Sequence, residues 1–203
     1  MPVKIIGGHS GSTVGPDGAT HQMFEDIALM RVLPNMVVIC PGDSIEADKA
    51  TRAMARDGRP NYLRIAREKT PIFSTADSPF EIGKAYVLRE GGDVTILSTG
   101  IETPYALRAA DLLARDGVQA EVVHVPTVKP LDTTTIVDSV KKTGRAVTCE
   151  DAQAAGGFGG AVAELLCDEI PVPLLRIGVQ DRYGESGEPL EVHQKLEIGR
   201  AHV

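Results

Sequence analysis

Short β-branched runs alternate with stretches of helical period along most of the chain. That alternation restricts it to an α/β fold: mainly parallel sheets with helices on both faces. The strands expected are Val3–Ile6, Val37–Cys40, Tyr62–Ile65, Tyr86–Leu88, Val94–Ser98, Ala120–Val125, Ala146–Cys149 and Pro173–Ile177. Between them Met23, Ile27 and Met30 recur at helical spacing, and Ile45–Met54 and Pro104–Leu113 are rich in Ala and Leu with charges on one side. The pattern lapses near Glu68–Phe80, where two prolines stand among several Ser and Thr. We therefore expect a partial unit over residues 1–70, a linker over 71–82 and a complete five-strand unit over 83–190. The first unit has too few strands to close a core, so it needs further amino-terminal sequence or a docking partner. No internal repeat or low-complexity tract interrupts the pattern.

Strand-like sequence begins almost at Met1, which places the start of the chain inside a fold. Ile198-Gly-Arg-Ala-His-Val203 follows helical sequence without a stop signal and matches what one frame of a common sequencing adapter encodes. Residues 198–203 are expected to be a non-native tail and are left out of fold reasoning. A net charge of −7 without a basic stripe argues against nucleic acid or an anionic membrane as partner. No run approaches the ~20 apolar residues of a membrane helix, and no signal peptide opens the chain. Cys40, Cys149 and Cys167 are far apart and beside apolar runs, the pattern of buried thiols in a reducing compartment, taken as the cytoplasm.

Chemistry concentrates in His9-Ser-Gly-Ser-Thr-Val-Gly-Pro-Asp17-Gly-Ala-Thr-His21-Gln22, a loop from the end of a strand to the start of a helix. Its glycines allow tight turns and close approach to a ligand, and open α/β sheets bind substrates at the carboxyl ends of their strands. His9, His21 and Asp17 are thereby candidates for gripping a polyhydroxylated molecule; the bland alternative is a solvated surface loop. A metal site on His9 and His21 is not expected, because no third residue stands at ligand spacing. Arg67, just past the strand of Tyr62 and Arg64, stands where a guanidinium can hold a phosphate, the bland alternative being a surface charge paired with Glu68. Gly156-Gly-Phe-Gly-Gly160 falls short of a dinucleotide fingerprint, since Val162 stands at the third glycine position and Glu150–Ala155 separate it from the strand. Close helix packing or an anion at a helix start is the better expectation. Ser98, Cys40 and Cys149 lack a nucleophile-elbow context, and His124 reads as a core or interface histidine.

In this order His9, Gly15-Pro-Asp-Gly-Ala-Thr-His-Gln22, Glu25 to Asn35, Pro41-Gly-Asp43, Arg67, Pro126-Thr-Val-Lys-Pro130-Leu-Asp132, Gly156-Gly-Phe-Gly159 and Asp181-Arg-Tyr-Gly-Glu-Ser-Gly187 closely resemble the transketolase family. The likeness extends to Pro189 and is closest to split enzymes whose carboxyl-terminal half is a separate subunit. It implies the end of a pyrimidine-binding domain followed by a carboxyl-terminal domain, in an enzyme that moves a two-carbon ketol unit between sugar phosphates. It further implies that His21 and His9 act at the reacting centre, with His9 also on the sugar phosphate, and that Asp17 and Arg67 bind substrate. The family's thiamine diphosphate and its divalent metal, Mg, would be held mainly by the missing amino-terminal half, because the activating glutamate and the stacking aromatics lie upstream. This chain would then hold no cofactor ligand and no metal ligand, would be inactive alone, and would work in a homodimer or heterotetramer. Pro16 stands where an acidic residue is frequent in the family and Gly160 where a serine is frequent. Two alternatives stay open: a deoxyxylulose-phosphate synthase-like enzyme, in which a second histidine usually stands where Gln22 is, and a non-catalytic assembly module. The β-subunits of ketoacid dehydrogenases share the architecture but lack the Asp17-to-Gln22 run.

Overall fold

The computed structural model describes residues 1–196 and residue 198. Two sheets carry it. In the first, β1 (Lys4–Gly7), β3 (Asn61–Arg64) and β2 (Val37–Ile39) run parallel, with Ile5 and Val38 both level with Tyr62. A three-residue strand, Thr127–Lys129, pairs antiparallel on the free side of β2, so sequence from beyond the linker extends the first sheet on that side. The second sheet runs β4 (Tyr86–Arg89), β6 (Ala120–His124), β5 (Val94–Ser98), β8 (Ala146–Gln153) and β9 (Leu174–Val179), taking Thr127–Lys129 as β7. Only β4 in that sheet is antiparallel to its neighbour. All eight expected strands form, with ends displaced by a residue or two except at β8. The strand beginning at Ala146 continues through Glu150-Asp151-Ala152 to Gln153, because these polar residues are buried and paired rather than looped into solvent.

The helices start and stop where the chain offers caps. In α2 (Ser44–Arg56) the Asp43 carboxylate accepts from the Glu46 amide at 2.9 Å, while Ala50 and Met54 turn inward. In α4 (Thr133–Thr143) Asp132 accepts from the Thr135 amide at 3.2 Å, and Gly144 closes the helix at φ 70°. Pro104 sits in the first turn of α3 (Thr103–Arg115), whose Ala106 and Ala110 pack on Ile96 and Val122. Of the Met23, Ile27, Met30 series only the last two lie within α1 (Asp26–Arg31); Met23 is half exposed in the preceding loop. Remaining are α5 (Phe158–Glu169) and α6 (Pro189–Lys195).

One core runs under both sheets. Val38, Cys40 and Tyr62 from the first pack with Leu97, Val123 and Val125 of the second and with Phe158. At the seam the Cys40 amide donates to Pro126 O at 2.8 Å and Cys40 O accepts from Gly100 N at 3.1 Å. Burial pushes the Cys40 thiol up to about 12, so it stays an unreactive thiol. Cys149 is buried as well, but Cys167 departs from expectation: it faces solvent on the outer side of α5, beside exposed Glu164 and Asp168. Ile198 packs with Phe24, Val179, Val192 and Leu196, and the remainder of the expected tail, 199–203, lies outside the described residues. No helix among the described residues is long and apolar enough to cross a membrane.

Candidate functional site

The loop from β1 to α1 leaves the carboxyl end of its strand and is pinned at the neck. The Gly11 amide donates to Met23 O at 3.0 Å, and Ser10 N donates to Ile65 O at 3.2 Å just beyond β3. Between these ties Ser12–Thr20 winds in 3-10 turns broken at Gly15 and Gly18. Two glycines have specific steric reasons. At Gly11, with φ 81°, a side chain would run into the Asp151 carboxylate; at Gly18, with φ 73°, it would meet the Ser186 hydroxyl. Close approach here is thus to the chain's own second unit. The Gln22 side-chain amide strengthens that contact by donating to Glu185 O at 3.1 Å.

Of the four sequence candidates, two are brought into direct contact. Arg67 Nη1 pairs with the Asp17 carboxylate and donates to Val14 O at 3.2 Å, leaving Glu68 a distant second partner at 4.0 Å. Both partners of the Asp17 pair keep more than a third of their side chains in solvent. His21 follows in the same turn. Its amide donates to Gly18 O at 3.0 Å and its exposed ring reaches Thr20 Oγ1 through Nδ1 at 2.9 Å. His9 is exposed, at φ 64°, next to the Ser10 tie to Ile65. Among the described residues no hydrogen bond joins either imidazole to the Asp17–Arg67 pair. His9, Asp17 and His21 thus share one exposed loop, and among the described residues the contact shown between the four candidates is Asp17 with Arg67.

Beneath this loop lies a buried charged layer that sequence spacing did not disclose. Asp26 is fully buried and accepts from Tyr62 Oη at 2.7 Å and from Arg64 Nε at 2.9 Å; Arg64 Nη2 also donates to Asp151 O at 2.6 Å. Glu150 accepts from the Phe158 and Gly159 amides, both at 2.7 Å. The glycine-rich start of α5 thus holds an anion, supplied by the chain itself. Because β8 reaches Gln153, that helix also follows its strand more directly than the expected gap at Glu150–Ala155 implied. Burial lifts Glu150 to about 7 despite these donors, and lifts Asp151 to about 6 although Arg64 pulls it down. His124 is a satisfied interface histidine, with Nε2 2.8 Å from Glu46 and Nδ1 2.6 Å from Thr103. The acidic and aromatic partners of these groups come from other elements, so only periodicity of buried polar residues, which strands do not show, could have revealed them.

A cofactor cradle is not built by these residues. The amides of α5 are already taken by Glu150, and Phe24, Tyr62 and Phe158 are locked in the core instead of offering a stacking face. The residues present do not fit a self-contained thiamine diphosphate site, and no chemical step is derived through one.

Comparison with known proteins identifies the architecture. The family model for the transketolase pyrimidine-binding domain matches residues 1–72, and that for the transketolase C-terminal domain matches residues 83–203. The chain belongs to the transketolase family. Among transketolase relatives, a putative transketolase C-terminal section from Methanocaldococcus jannaschii is 45% identical over 95% of this chain and 61% of its own length. The 6-deoxy-6-sulfo-D-fructose transketolase subunit SqwH of Clostridium sp. is 46% identical over 92% of this chain and 58% of its own. A 1-deoxy-D-xylulose-5-phosphate synthase from Thermomicrobium roseum is 42% identical over 98% of this chain, but over only 32% of its own length. A solved split-gene transketolase, described as an inactive beta4 tetramer, superposes with a TM-score of 0.90 at 41% identity, over 98% of this chain and 63% of that one. The chain thus spans about three fifths of the split transketolase relatives that it matches.

Proposed function

We propose that this chain is the carboxyl-side part of a split transketolase-type enzyme that moves a two-carbon ketol unit between sugar phosphates. The observation that carries the reading is the exposed loop beyond β1, which carries His9, Asp17 and His21 and pairs Asp17 with Arg67 just past the carboxyl end of β3, in a chain of this family. The missing amino-terminal half would hold thiamine diphosphate and a divalent metal, which supply the carbanion chemistry. This chain supplies recognition. The His21 ring donates a hydrogen bond to the oxygen at the reacting carbon as negative charge develops there, His9 and Arg67 hold the sugar phosphate, and Asp17 accepts from a substrate hydroxyl. Arg67 already shares its charge with Asp17, so substrate binding redistributes an existing pair instead of ordering two free side chains. The assembled enzyme works in the cytoplasm as a homodimer or heterotetramer, and this chain is inactive alone.

The test is the His21→Ala variant, reconstituted with the amino-terminal half. Losing one preorganised donor of this kind costs about 2.7–4 kcal/mol in the transition state. Ketol transfer should fall in kcat/KM at least tenfold; unchanged kinetics would remove His21 from the reacting centre. Gln22 favours transketolase over the synthase reading, and its amide is engaged in holding the loop. Formation of 1-deoxy-D-xylulose 5-phosphate by the reconstituted wild type, without ketol transfer, would reverse that preference.

A further inference from the structure

Glu102, Asp151 and His193 meet in the interior although they come from three distant elements. Glu102 ends the 3-10 turn before α3, Asp151 lies on β8 and His193 on α6. Each offers one ligand atom, and these atoms all lie within 4.8 Å of one another. All three residues are at least nine-tenths buried, Glu102 completely.

Hydrogen bonding leaves this trio unfinished. The Asp151 carboxylate accepts from the Ser12 amide, at 3.1 Å to both oxygens. His193 Nδ1 is 3.1 Å from Ser12 Oγ. Glu102 Oε2, by contrast, has no partner, and Glu102 Oε1 and His193 Nε2 face only each other, at 3.4 Å and without a well-formed hydrogen bond. Buried carboxylates are normally paired or bound to a cation, so two of them beside one imidazole leave a local excess of negative charge. The nearest buried cation does not cancel it, because the Arg64 Nε is committed to Asp26 and its Nη2 goes to the Asp151 carbonyl.

The unpartnered atoms are arranged as metal ligands are. With Nδ1–H donating to Ser12 Oγ, the His193 lone pair falls on Nε2, facing Glu102, and the serine takes the outer-shell role that fixes a ligating imidazole. His193 Nε2 stands 3.4 Å from Glu102 Oε1. Two ligands about 2.1 Å from a tetrahedral zinc ion are about 3.4 Å apart. His193 also lines, with Thr13, Lys69, Tyr105 and Glu188, a cavity of about 410 Å³, although its Nε2 is itself buried.

We propose that Glu102, Asp151 and His193 form a binding site for a divalent transition-metal ion of the zinc class. The ion would tie α6 to the second sheet and, through Ser12, to the glycine loop. This assignment does not depend on the transketolase activity proposed above.

The 203-residue chain, stripped with chelator, would be titrated with Zn²⁺ by calorimetry and with Co²⁺ by visible absorption. One equivalent is expected, with Co²⁺ bands of a nitrogen and oxygen ligand set and a melting temperature that rises with Zn²⁺ concentration. Glu102→Gln and His193→Gln, checked for folding by circular dichroism, should weaken binding on the order of tenfold or more, while Cys167→Ser should bind as the wild type does. No stoichiometric binding to the wild type would overturn the proposal, leaving a proton as the occupant of the site. So would a thiolate charge-transfer band, or loss of binding in Cys167→Ser with retention in Glu102→Gln. Should the variants fail to fold, the wild-type stoichiometry and Co²⁺ spectrum still decide.

Discussion

Arg67 and Arg64 are separated by two residues and have opposite fates. Arg64 is sealed under the loop, its guanidinium spent on Asp26 and on the Asp151 carbonyl, so removing it would strand a buried carboxylate. Arg67 lies past the strand end, paired with Asp17 yet open to solvent, where a guanidinium can exchange or share its carboxylate for a phosphate. In the reconstituted enzyme Arg67→Ala should therefore raise KM for phosphorylated sugars with little change in kcat. Steady-state kinetics on phosphorylated and unphosphorylated donors checks this; an equal rise in KM for both would contradict phosphate recognition. Arg67 was legible as a candidate because it follows an obvious strand. The fate of Arg64 was not, because Asp26 lies 38 residues away and reaches it only through the fold.

Among the elements, the strands with β-branched runs were readable and those without were not. Thr127–Lys129 is a strand only because it lies on the open side of β2, between two prolines, and β8 continues through charged residues whose partners come from α5 and the glycine loop. The helix caps are where sequence and stability connect most directly. Burial alone would raise the Asp43 carboxyl. Its bonds from the Glu46, Phe73 and Ser74 amides and the Ser74 hydroxyl more than offset this and hold it below the ordinary aspartate range. Asp132 is likewise held low, with burial opposed by the Ala85 and Thr135 amides. A carboxyl lowered on folding stabilises above its unfolded pKa and loses that contribution as pH falls through its folded value. The Asp43 and Asp132 contributions should therefore be lost below about pH 4, whereas Glu150 and Asp151, raised on folding, should lower the melting temperature as pH climbs from about 4 towards 7. Asp43→Asn, which sets an NH2 against amides that now donate to a carboxylate oxygen, should remove the Asp43 part of that loss and cost about 1–3 kcal/mol at pH 7. Calorimetry across pH measures both, and a wild-type melting temperature unchanged down to about pH 2.5 would contradict the assignment.

At the scale of the whole molecule, the two units share a core and a strand but leave one side of the first sheet uncompleted. β1 is an edge strand with Val3, Ile5 and Ile6 partly in solvent, and the loop that follows it holds His9, Asp17 and His21 outward. The chain spans about three fifths of the split relatives it matches, and such a surface suits the partner proposed for it. The family membership was legible because its motifs are ordered along nearly the whole sequence. The Asp17–Arg67 pairing was not, since the two residues lie 50 apart and meet only through the fold. Titration of this chain alone with thiamine diphosphate and Mg²⁺ in a calorimeter should show weak binding or none, because the amides at the start of α5 are taken by Glu150 and Phe24, Tyr62 and Phe158 are buried. Tight binding by the isolated chain would contradict the division of labour.

The most direct test is to assay ketol transfer for this chain, for its amino-terminal half and for their mixture, under identical cofactor and donor concentrations. The account predicts turnover in the mixture alone, saturating at a fixed ratio of the two chains. Association of the halves without turnover would contradict it, as would full activity from either half by itself.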